Sequence, residues 1–327
     1  MDVSIVIVNW NSIEFLTKCV ESIYATTHRL SYEIVVVDNS SADDFTAFSQ
    51  RYPQVKVVQA GRNLGFAGAN NLGTEHTSGD KILYLNPDTL VTGNAIEQMA
   101  ARLDAPEVGA VGCRLLNGDM TLQMSAVQPY PTIVNQLLTL DYFKRRWPMF
   151  PLWGMRALYA PDSPAANEVE VISGACLMVK RAVLEKVGVF STEYFMYAEE
   201  IDLCYRIRRA GWVLSYLGDA EVVHFGGQST KKKGDGFADV MMRDSVFKFL
   251  RKFRGKTYAA CYRGAMFFSA IARLIVLGPL VVVRGMLRGG DDVARAFNKW
   301  RKIATWSLAL QSWTHTVARA RTTAVKS

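Results

Sequence analysis

The feature that most constrains this chain is an alternation, over its first 115 residues, of short β-branched runs with amphipathic stretches. The runs are predicted strands at 4–8, 33–38, 55–59, 81–86 and 108–114, and the stretches are predicted helices at 13–25, 43–52, 61–77 and 94–103. Strands that are apolar on both faces and separated by helices are typical of parallel sheets covered on both sides. The sequence therefore predicts an α/β protein with a mostly parallel sheet.

Composition excludes several other classes of protein. Half of the 327 residues are hydrophobic and 21% are charged, which is ordinary for a globular protein and excludes disordered and collagen-like chains. The five cysteines are dispersed and have no metal-binding spacing, which favours a reducing compartment. The first residues carry no basic segment or cleavage site, so we expect no signal peptide and a cytoplasmic location.

The charge is distributed unevenly along the chain. Residues 241–327 contain 17 Lys and Arg against 3 Asp and Glu, a net charge of +14, which leaves −6 for residues 1–240. We therefore predict a main domain at 1–238, with an excursion rich in proline and tryptophan at 128–168, and a basic helical tail at 239–327.

The tail alternates apolar and basic segments. Its longest charge-free stretch, 274–283, has ten residues, fewer than the roughly 20 that span a bilayer. With Trp300, Trp306 and Trp313 among basic residues, it is predicted to form interfacial helices on an anionic membrane. A packing or dimerisation element is the alternative. Nucleic-acid binding is disfavoured, because the aromatic residues accompany Leu and Val rather than a polar sheet face.

Polar side chains directly follow three apolar strands. Asn9, Asp38 and Asp88 stand where strands end, and ligands of open α/β sheets bind at those ends. Asp38 could accept hydrogen bonds from a base or ribose, or it could cap a turn. Asp88 could hold a hard dication that bridges phosphates, although an ordinary Asn-Pro-Asp turn is commoner than a metal site.

Two further segments carry candidate chemical groups. Glu199, Glu200 and Asp202 cluster where a helix should begin, and such acids either cap the helix or, with a raised pKa, serve as a general base. His224 ends an apolar run before two glycines, and it is either structural or the partner of Asp88 in a metal site. The basic run 231–233 is either solvated or able to close over a diphosphate.

Seven segments, taken in order, resemble family 2 glycosyltransferases of the bacterial rhamnosyltransferase type over about residues 3–230. The segments are VSIVIVNWN (3–11), VVVDNSS (35–41), NLGFAGANN (63–71), LNPDT (85–89), GACLM (174–178), EEIDLC (199–204) and HFGG (224–227). The resemblance implies the GT-A fold, with a Rossmann-like mixed sheet and here a helical C-terminal extension. It also implies an inverting mechanism, a dTDP- or UDP-linked sugar donor, and Mg²⁺ or Mn²⁺.

The resemblance also implies roles for individual residues. Glu200 takes the position of the catalytic base, with Asp202 and Glu199 in reserve, and Asp88 and His224 take the metal positions. Asp38 takes the position that holds the nucleoside. The remaining residues implied to bind the nucleotide sugar are Asn9, Asn63, Gly65, Asn70 and Asn86.

The context implied by the resemblance is cell-surface glycan synthesis. The acceptor would be a glycan or a lipid-linked sugar, with the enzyme peripheral on the inner face of the membrane and possibly a homo-oligomer. The alternatives are a silent sugar-nucleotide-binding module, a membrane scaffold built on a decayed transferase domain, and a nucleotidyltransferase on a similar sheet.

Overall fold

The computed structural model describes residues 1–138, 144, 146–159, 167–226, 237–286 and 291–309. Gly227, the basic run 231–233 and Trp313 lie outside the described residues. The chain divides into two compact units. The first comprises Met1–Tyr130, Leu140–Thr192 and Glu199–Ser229, and the second comprises Pro131–Thr139, Glu193–Ala198 and Thr230–Ser327.

The first unit is built on one large sheet. Its strands are β1 (Val3–Asn9), β2 (Tyr32–Asp38), β3 (Lys56–Gln59), β4 (Lys81–Leu85), β5 (Thr89–Val91), β6 (Val108–Leu116), β8 (Asn167–Glu168), β10 (Cys176–Lys180) and β11 (Val213–His224). Their order is β3-β2-β1-β4-β10-β6-β11-β5, and β8 pairs with β11. A separate pair is formed by β7 (Val127–Gln128) and β9 (Val171–Ile172).

Strand directions divide the sheet into a parallel part and a mixed part. Strands β1 to β4 are mutually parallel where they pair, whereas β10 runs antiparallel to both β4 and β6, and β11 runs antiparallel to β5. The expectation of a mostly parallel sheet therefore holds for β1 to β4 and for the pair β6 and β11, but not where β10 and β5 pair with their neighbours. Strand β10 follows a long excursion and enters the sheet from the opposite end, so it runs against both of its neighbours.

Helices cover this sheet because each presents an apolar stripe to it. They are α1 (Ile13–Thr26), α2 (Thr46–Arg51), α3 (Gly65–Glu75), α4 (Ala95–Arg102), α6 (Arg181–Val187) and α7 (Glu199–Arg209). Ile5 and Ile7 in β1 are fully buried. Helix α3 packs so closely on β1 that a Cβ at Gly73 would collide with Val6, which fixes the distance between helix and strand.

The second unit is helical. It contains α5 (Ile133–Leu137), α8 (Phe237–Arg254), α9 (Lys256–Met286) and α10 (Asp291–Ser307). Trp306 is 1% exposed, and its indole donates a hydrogen bond to Asp244. The guanidinium of Arg263 lies 5.1 Å from the Trp306 ring centroid, and that of Arg273 lies 4.3 Å from the Trp300 ring. The expectation that Trp306 is interfacial is therefore wrong, because it fills the core of this unit.

The inward direction of Arg263 and Arg273 leaves an apolar stripe on the other face of α9. Its exposed members recur at helical spacing at Phe268, Ala272, Ile275, Val276 and Leu280. The segment Lys256–Val281 is long and apolar enough, by length and composition alone, to cross a membrane. The count of charge-free residues underestimated it, because the segment is strongly apolar on average even with Arg263 and Arg273 in it.

Candidate active site

The ends of β1 and β2 form a rigid polar platform. Asn9 is fully buried, and its amide nitrogen donates to Asp43 Oδ2 at 2.8 Å while its amide oxygen accepts from Ser12 Oγ at 3.0 Å. Asp38 is buried, and its Oδ1 accepts the backbone N–H of Ser41 at 3.0 Å. These contacts hold the loops after both strands in one conformation.

The turn before α3 is fixed in the same way, through Asn39. Its Oδ1 accepts the N–H of Leu64 at 2.8 Å, and its Nδ2 donates to Asn63 Oδ1 at 3.2 Å. Asn63 Oδ1 also accepts the N–H of Gly65, whose φ of +71° favours glycine. Asn70 is buried and donates to the carbonyl of Phe66 within α3. The structure thus places Asn63, Gly65 and Asn70 in the framework of this turn.

Asp43 is a residue of this platform that the sequence did not single out. The predicted helix 43–52 begins only at Thr46, and Asp43 instead accepts the backbone N–H groups of Ser12 and Ile13 at 2.9 and 3.2 Å. It therefore caps α1 from a neighbouring loop, satisfying donors that the helix leaves open. Its distance in sequence from α1 hid this role.

Asn86, Asp88 and His224 meet at the neighbouring strand ends. Strand β11 pairs with β5 so that His224 lies opposite Thr89, and this register brings His224 to Asp88. His224 Nε2 lies 3.3 Å from Asp88 Oδ1 and 3.2 Å from Asn86 Nδ2. Its Nδ1 lies 2.8 Å from Gln123 Oε1. The structure therefore joins the two predicted metal positions.

The separation of this pair fits a small divalent cation held by one carboxylate oxygen and one imidazole nitrogen. Two ligands bound at right angles, each about 2.1 Å from one ion, lie roughly 3 Å apart, close to the observed 3.3 Å. Among the described residues no group of three His, Cys, Asp or Glu side chains could hold a metal. Magnesium sites often use one or two protein ligands and complete their shell with water and substrate phosphates.

The acids at the start of α7 have different surroundings. Asp202 is fully buried and pairs with Arg206 at 2.6 Å, and Arg206 also donates to the carbonyls of residues 187–189. Glu199 is 4% exposed. Glu200 is half-buried, and desolvation raises its pKa from 4.5 to about 7, against the lowering effect of the backbone N–H groups of Glu200 and Ile201.

Gly174 links Glu200 to the metal positions. A Cβ at Gly174 would lie 3.6 Å from the Cβ of Glu200 and 3.3 Å from the Phe66 ring. The next residue, Ala175, accepts the backbone N–H of Asn86 at 3.0 Å. Glu200 therefore lies beside Gly174, whose neighbour Ala175 binds Asn86, and the absent side chain at Gly174 leaves space beside the Cβ of Glu200. Asp88 and His224, far apart in sequence, are in contact, and Glu200 is connected to them through Gly174, Ala175 and Asn86.

Comparison with known proteins identifies the family. Residues 4–188 match the model of glycosyl transferase family 2. N-acetylglucosaminyl-diphospho-decaprenol L-rhamnosyltransferase of Mycobacterium tuberculosis is 32% identical over 244 residues, which cover 69% of this chain and 76% of that protein. The chain belongs to glycosyl transferase family 2. The predicted rhamnosyltransferase-like family resemblance is confirmed, and the protein is an enzyme of the glycosyltransferase class.

Other similar proteins support the same assignment. Rhamnosyltransferase WbbL of Escherichia coli K12 is 22% identical over 233 residues, covering 68% of this chain and 83% of WbbL. The Pyrobaculum calidifontis mannosyltransferase PcManGT, solved with GDP-Man and Mn²⁺, matches with a TM-score of 0.56 and 17% identity over 94% of this chain and 86% of its own. GalNAc-T7, solved with UDP, GalNAc and Mn²⁺, has a TM-score of 0.55 and 18% identity over 68% of this chain, which spans 44% of its length. The predicted GT-A fold is confirmed.

Proposed function

We propose that this glycosyltransferase is a metal-dependent, inverting rhamnosyltransferase that uses a dTDP- or UDP-linked donor and a lipid-linked acceptor in cell-surface glycan synthesis. The observation that carries the proposal is the contact between Asp88 and His224, 3.3 Å apart, with Glu200 beside Gly174, the residue before the carbonyl that binds Asn86. The names of the relatives in M. tuberculosis and E. coli support the sugar, and the former supports a diphospho-lipid acceptor.

Glu200 is the proposed general base. With a pKa of about 7, its carboxylate is substantially ionised at neutral pH and basic enough to take the proton of an acceptor hydroxyl as that oxygen attacks the anomeric carbon. Asp202 is less suited, because its carboxylate is fully buried and bound by Arg206. Residues two apart on a helix also point in different directions, so the two acids cannot serve one substrate oxygen.

Asp88 and His224 are the proposed holders of Mg²⁺ or Mn²⁺. When bound, such an ion neutralises the charge that grows on the departing nucleoside diphosphate. Asp88 supplies the negative charge that attracts the ion, and His224 supplies a neutral nitrogen ligand. Asn86 lies between them and the end of β4, where its amide can orient a diphosphate oxygen.

The platform after β1 and β2 is the proposed nucleoside site. Asp38 uses one carboxylate oxygen for Ser41, and its second oxygen is proposed to accept from the base or ribose. Asn9, Asn63, Gly65 and Asn70 are proposed to hold the walls of that site. Their observed hydrogen bonds within the protein favour positioning over direct contact.

Donor turnover tests the proposed reaction. The purified full-length protein is offered dTDP-rhamnose and a panel of UDP-sugars, with N-acetylglucosaminyl-diphospho-polyprenol as acceptor. We expect metal-dependent, acceptor-dependent release of a nucleoside diphosphate, lost with EDTA and reduced at least about 1000-fold by Asp88→Asn. Binding without release would indicate a silent module, neither binding nor release would indicate a scaffold, and release of pyrophosphate would indicate a nucleotidyltransferase. Any of these results would contradict the proposal.

The helical tail is proposed to bind the inner face of an anionic membrane. Phe268, Ile275 and Val276 are 72%, 69% and 64% exposed along one stripe of α9. Exposed basic residues stand at the turn from α8 to α9, namely Arg251, Arg254 and Lys256. An apolar stripe accompanied by cationic residues is typical of helices that lie in the headgroup region. This location would bring the enzyme to a lipid-linked acceptor.

Vesicle sedimentation tests the proposed membrane contact. Phe268→Gln/Ile275→Gln should lose binding to vesicles that contain phosphatidylglycerol, whereas Met242→Gln, a matched change at an exposed methionine of α8, should not. Vesicles of phosphatidylcholine alone should bind the wild type weakly. Equal binding by the double variant would contradict the proposed surface. Retention in native membranes after alkaline carbonate washing would instead indicate a spanning helix.

A further inference from the structure

His224 is held by a side chain to which the sequence analysis assigned no role. Gln123 lies in the loop after β6, which is pinned by hydrogen bonds from the N–H of Asn117 to the carbonyl of Thr121 and from the N–H of Gln123 to the carbonyl of Leu115, both 2.8 Å. Gln123 Oε1 lies 2.8 Å from His224 Nδ1, and its Nε2 donates to Asn117 Oδ1 at 3.1 Å. The loop and His224 thus share one chain of hydrogen bonds.

The donor and acceptor of each hydrogen bond in this series can be deduced by starting at Asp119, the residue farthest from His224. Asp119 accepts the hydroxyl of Thr121 at 2.6 Å and the N–H of Thr121 at 3.1 Å, and these bonds lower its pKa, so it is an ionised acceptor at neutral pH. The Thr121 hydroxyl has one proton and gives it to Asp119. It can therefore only accept from Asn117, at 2.9 Å, which turns the amide nitrogen of Asn117 toward Thr121.

The same logic continues to the histidine. With its nitrogen turned to Thr121, Asn117 presents its oxygen to Gln123, so Gln123 must present its own nitrogen in return. The oxygen of Gln123 then faces His224 Nδ1, and an oxygen there requires a proton on that nitrogen. The contact on the other side agrees, because the donor Nδ2 of Asn86 approaches Nε2 at 3.2 Å. Neutral His224 therefore carries its proton on Nδ1.

We propose that Gln123 is a positioning residue that fixes His224 as the Nδ1–H tautomer and thereby keeps a lone pair on Nε2. Asn86 Nδ2 approaches this lone pair at 3.2 Å, and a divalent cation between His224 and Asp88 would bind it in place of Asn86. Without the acceptor that Gln123 provides, the imidazole can place its proton on Nε2 and donate to Asp88 Oδ1, 3.3 Å away. That bond would occupy both proposed ligands. The cation part of this inference rests on the proposed metal role of Asp88 and His224, whereas the tautomer part does not.

Nitrogen NMR of the metal-free protein tests the tautomer directly. The full chain has four histidines, so histidine-selective ¹⁵N labelling gives few signals, and His224→Gln identifies the relevant one. At about pH 8.5, two units above the ordinary imidazole pKa, we expect a protonated Nδ1 in the wild type. Gln123→Met should shift the proton to Nε2 or give a mixture, and Gln123→Glu, which keeps an acceptor, should restore Nδ1–H.

The second measurement is the affinity for Mn²⁺, determined by electron paramagnetic resonance with UDP present. Gln123→Met should weaken Mn²⁺ binding by about 10- to 100-fold, the range seen when a residue that orients a metal ligand is lost. Gln98→Met, a matched change on α4, should leave both measurements unchanged. Thermal unfolding checks that each variant is folded, and the wild-type spectrum tests the tautomer even if a variant is not.

The two measurements separate the possible failures. A wild-type Nε2–H tautomer, or an Nδ1–H tautomer that persists in Gln123→Met, would overturn the role of Gln123. The expected tautomers with undetectable Mn²⁺ binding in the wild type would leave that role standing and overturn the proposed metal function. The expected tautomers with equal Mn²⁺ affinity in Gln123→Met would overturn the link between the tautomer and the cation.

Discussion

The two sides of the site differ in how their polar groups are satisfied. At the ends of β1 and β2, Asn9, Asn39 and Asp43 each bind two or more partners within the protein. On the other side, the Asp88 carboxylate faces Nε2 of His224, which the proposed tautomer leaves without a proton, and burial makes the Glu200 carboxylate costly to ionise. The hydrogen bonds of the first side are saturated within the protein, whereas in the proposed function the second side is completed by a cation and by the proton of the acceptor.

This difference teaches which substitutions should affect stability and which should affect chemistry. Groups with saturated hydrogen bonds contribute to the folded state, and their loss leaves buried partners unpaired. Groups held in unfavourable surroundings destabilise the folded state and retain reactivity. Neutralising a residue of the second kind should therefore raise the free energy of unfolding.

Glu200→Gln should produce the largest effect. Loss of a general base should reduce sugar transfer by about 100- to 10,000-fold, while donor binding, measured by calorimetry with a nucleoside diphosphate, should stay near wild type. The wild-type rate should fall as the pH decreases below about 7, where Glu200 becomes protonated. The remaining activity of the variant should lack this acid limb.

The same substitution should also raise stability in a pH-dependent way. The folded-state pKa of about 7 exceeds the reference 4.5, so ionisation opposes folding increasingly as the pH rises between these values. The variant should therefore gain up to about 3 kcal/mol at pH 8 and almost nothing below pH 4.5. Glu199→Gln is the matched control and should retain transfer. Activity lost by Glu199→Gln and kept by Glu200→Gln would move the base to Glu199.

Sequence patterns predicted one part of the fold well and another poorly. Runs such as 4–8 and 33–38 are apolar on both faces and separated by helices, and this local pattern predicts β1, β2 and the helix between them. Strand β10 is similarly apolar but runs antiparallel to β4. Its direction depends on where the preceding long excursion ends, which the local pattern does not reveal. The inward turn of Arg263 and the burial of Trp306 depend likewise on which helices pack together.

The site shows the same limit. Asp88 and His224 could be proposed because each ends an apolar strand, and β5 and β11 then bring them together. Gln123 and Asp43 sit in loops of ordinary polar composition, and their partners lie 101 and about 30 residues away. Only the folded chain shows these contacts. Sequence spacing alone could not have identified either residue as part of the site.

Asp202→Asn sharpens the comparison within a single helix. Asp202 is fully buried against Arg206, so neutralising it should lower the free energy of unfolding by about 2–3 kcal/mol, because a partly buried guanidinium loses its counter-charge. Transfer per folded molecule should remain near wild type. Urea unfolding and active-site-normalised rates measure the two effects. A large loss of rate with unchanged stability would make Asp202 the base in place of Glu200.

Asp43→Asn should give the smallest effect, and it tests the side of the site at the ends of β1 and β2, where the hydrogen bonds are saturated. Asparagine keeps an oxygen for Asn9, Ser12 and Ile13 but loses the negative charge at the N-terminus of α1. We expect a loss of about 1 kcal/mol in the free energy of unfolding, measured by urea denaturation. Because the proposed nucleoside site at the ends of β1 and β2 should become less ordered, KM for the donor should rise while kcat stays near wild type.

The neighbouring substitution Asp44→Asn provides the control for Asp43→Asn. Asp44 is exposed and, among the contacts described for its side chain, accepts only from the neighbouring Thr46, through its N–H and its hydroxyl, so its neutralisation should leave stability and KM close to wild type. A fall in kcat of more than about tenfold in Asp43→Asn, with stability unchanged, would mean that the carboxylate contacts the reacting groups. The polar groups at the ends of β1 and β2 would then take part in the chemistry. The division between a side with saturated hydrogen bonds and a side without them would no longer hold.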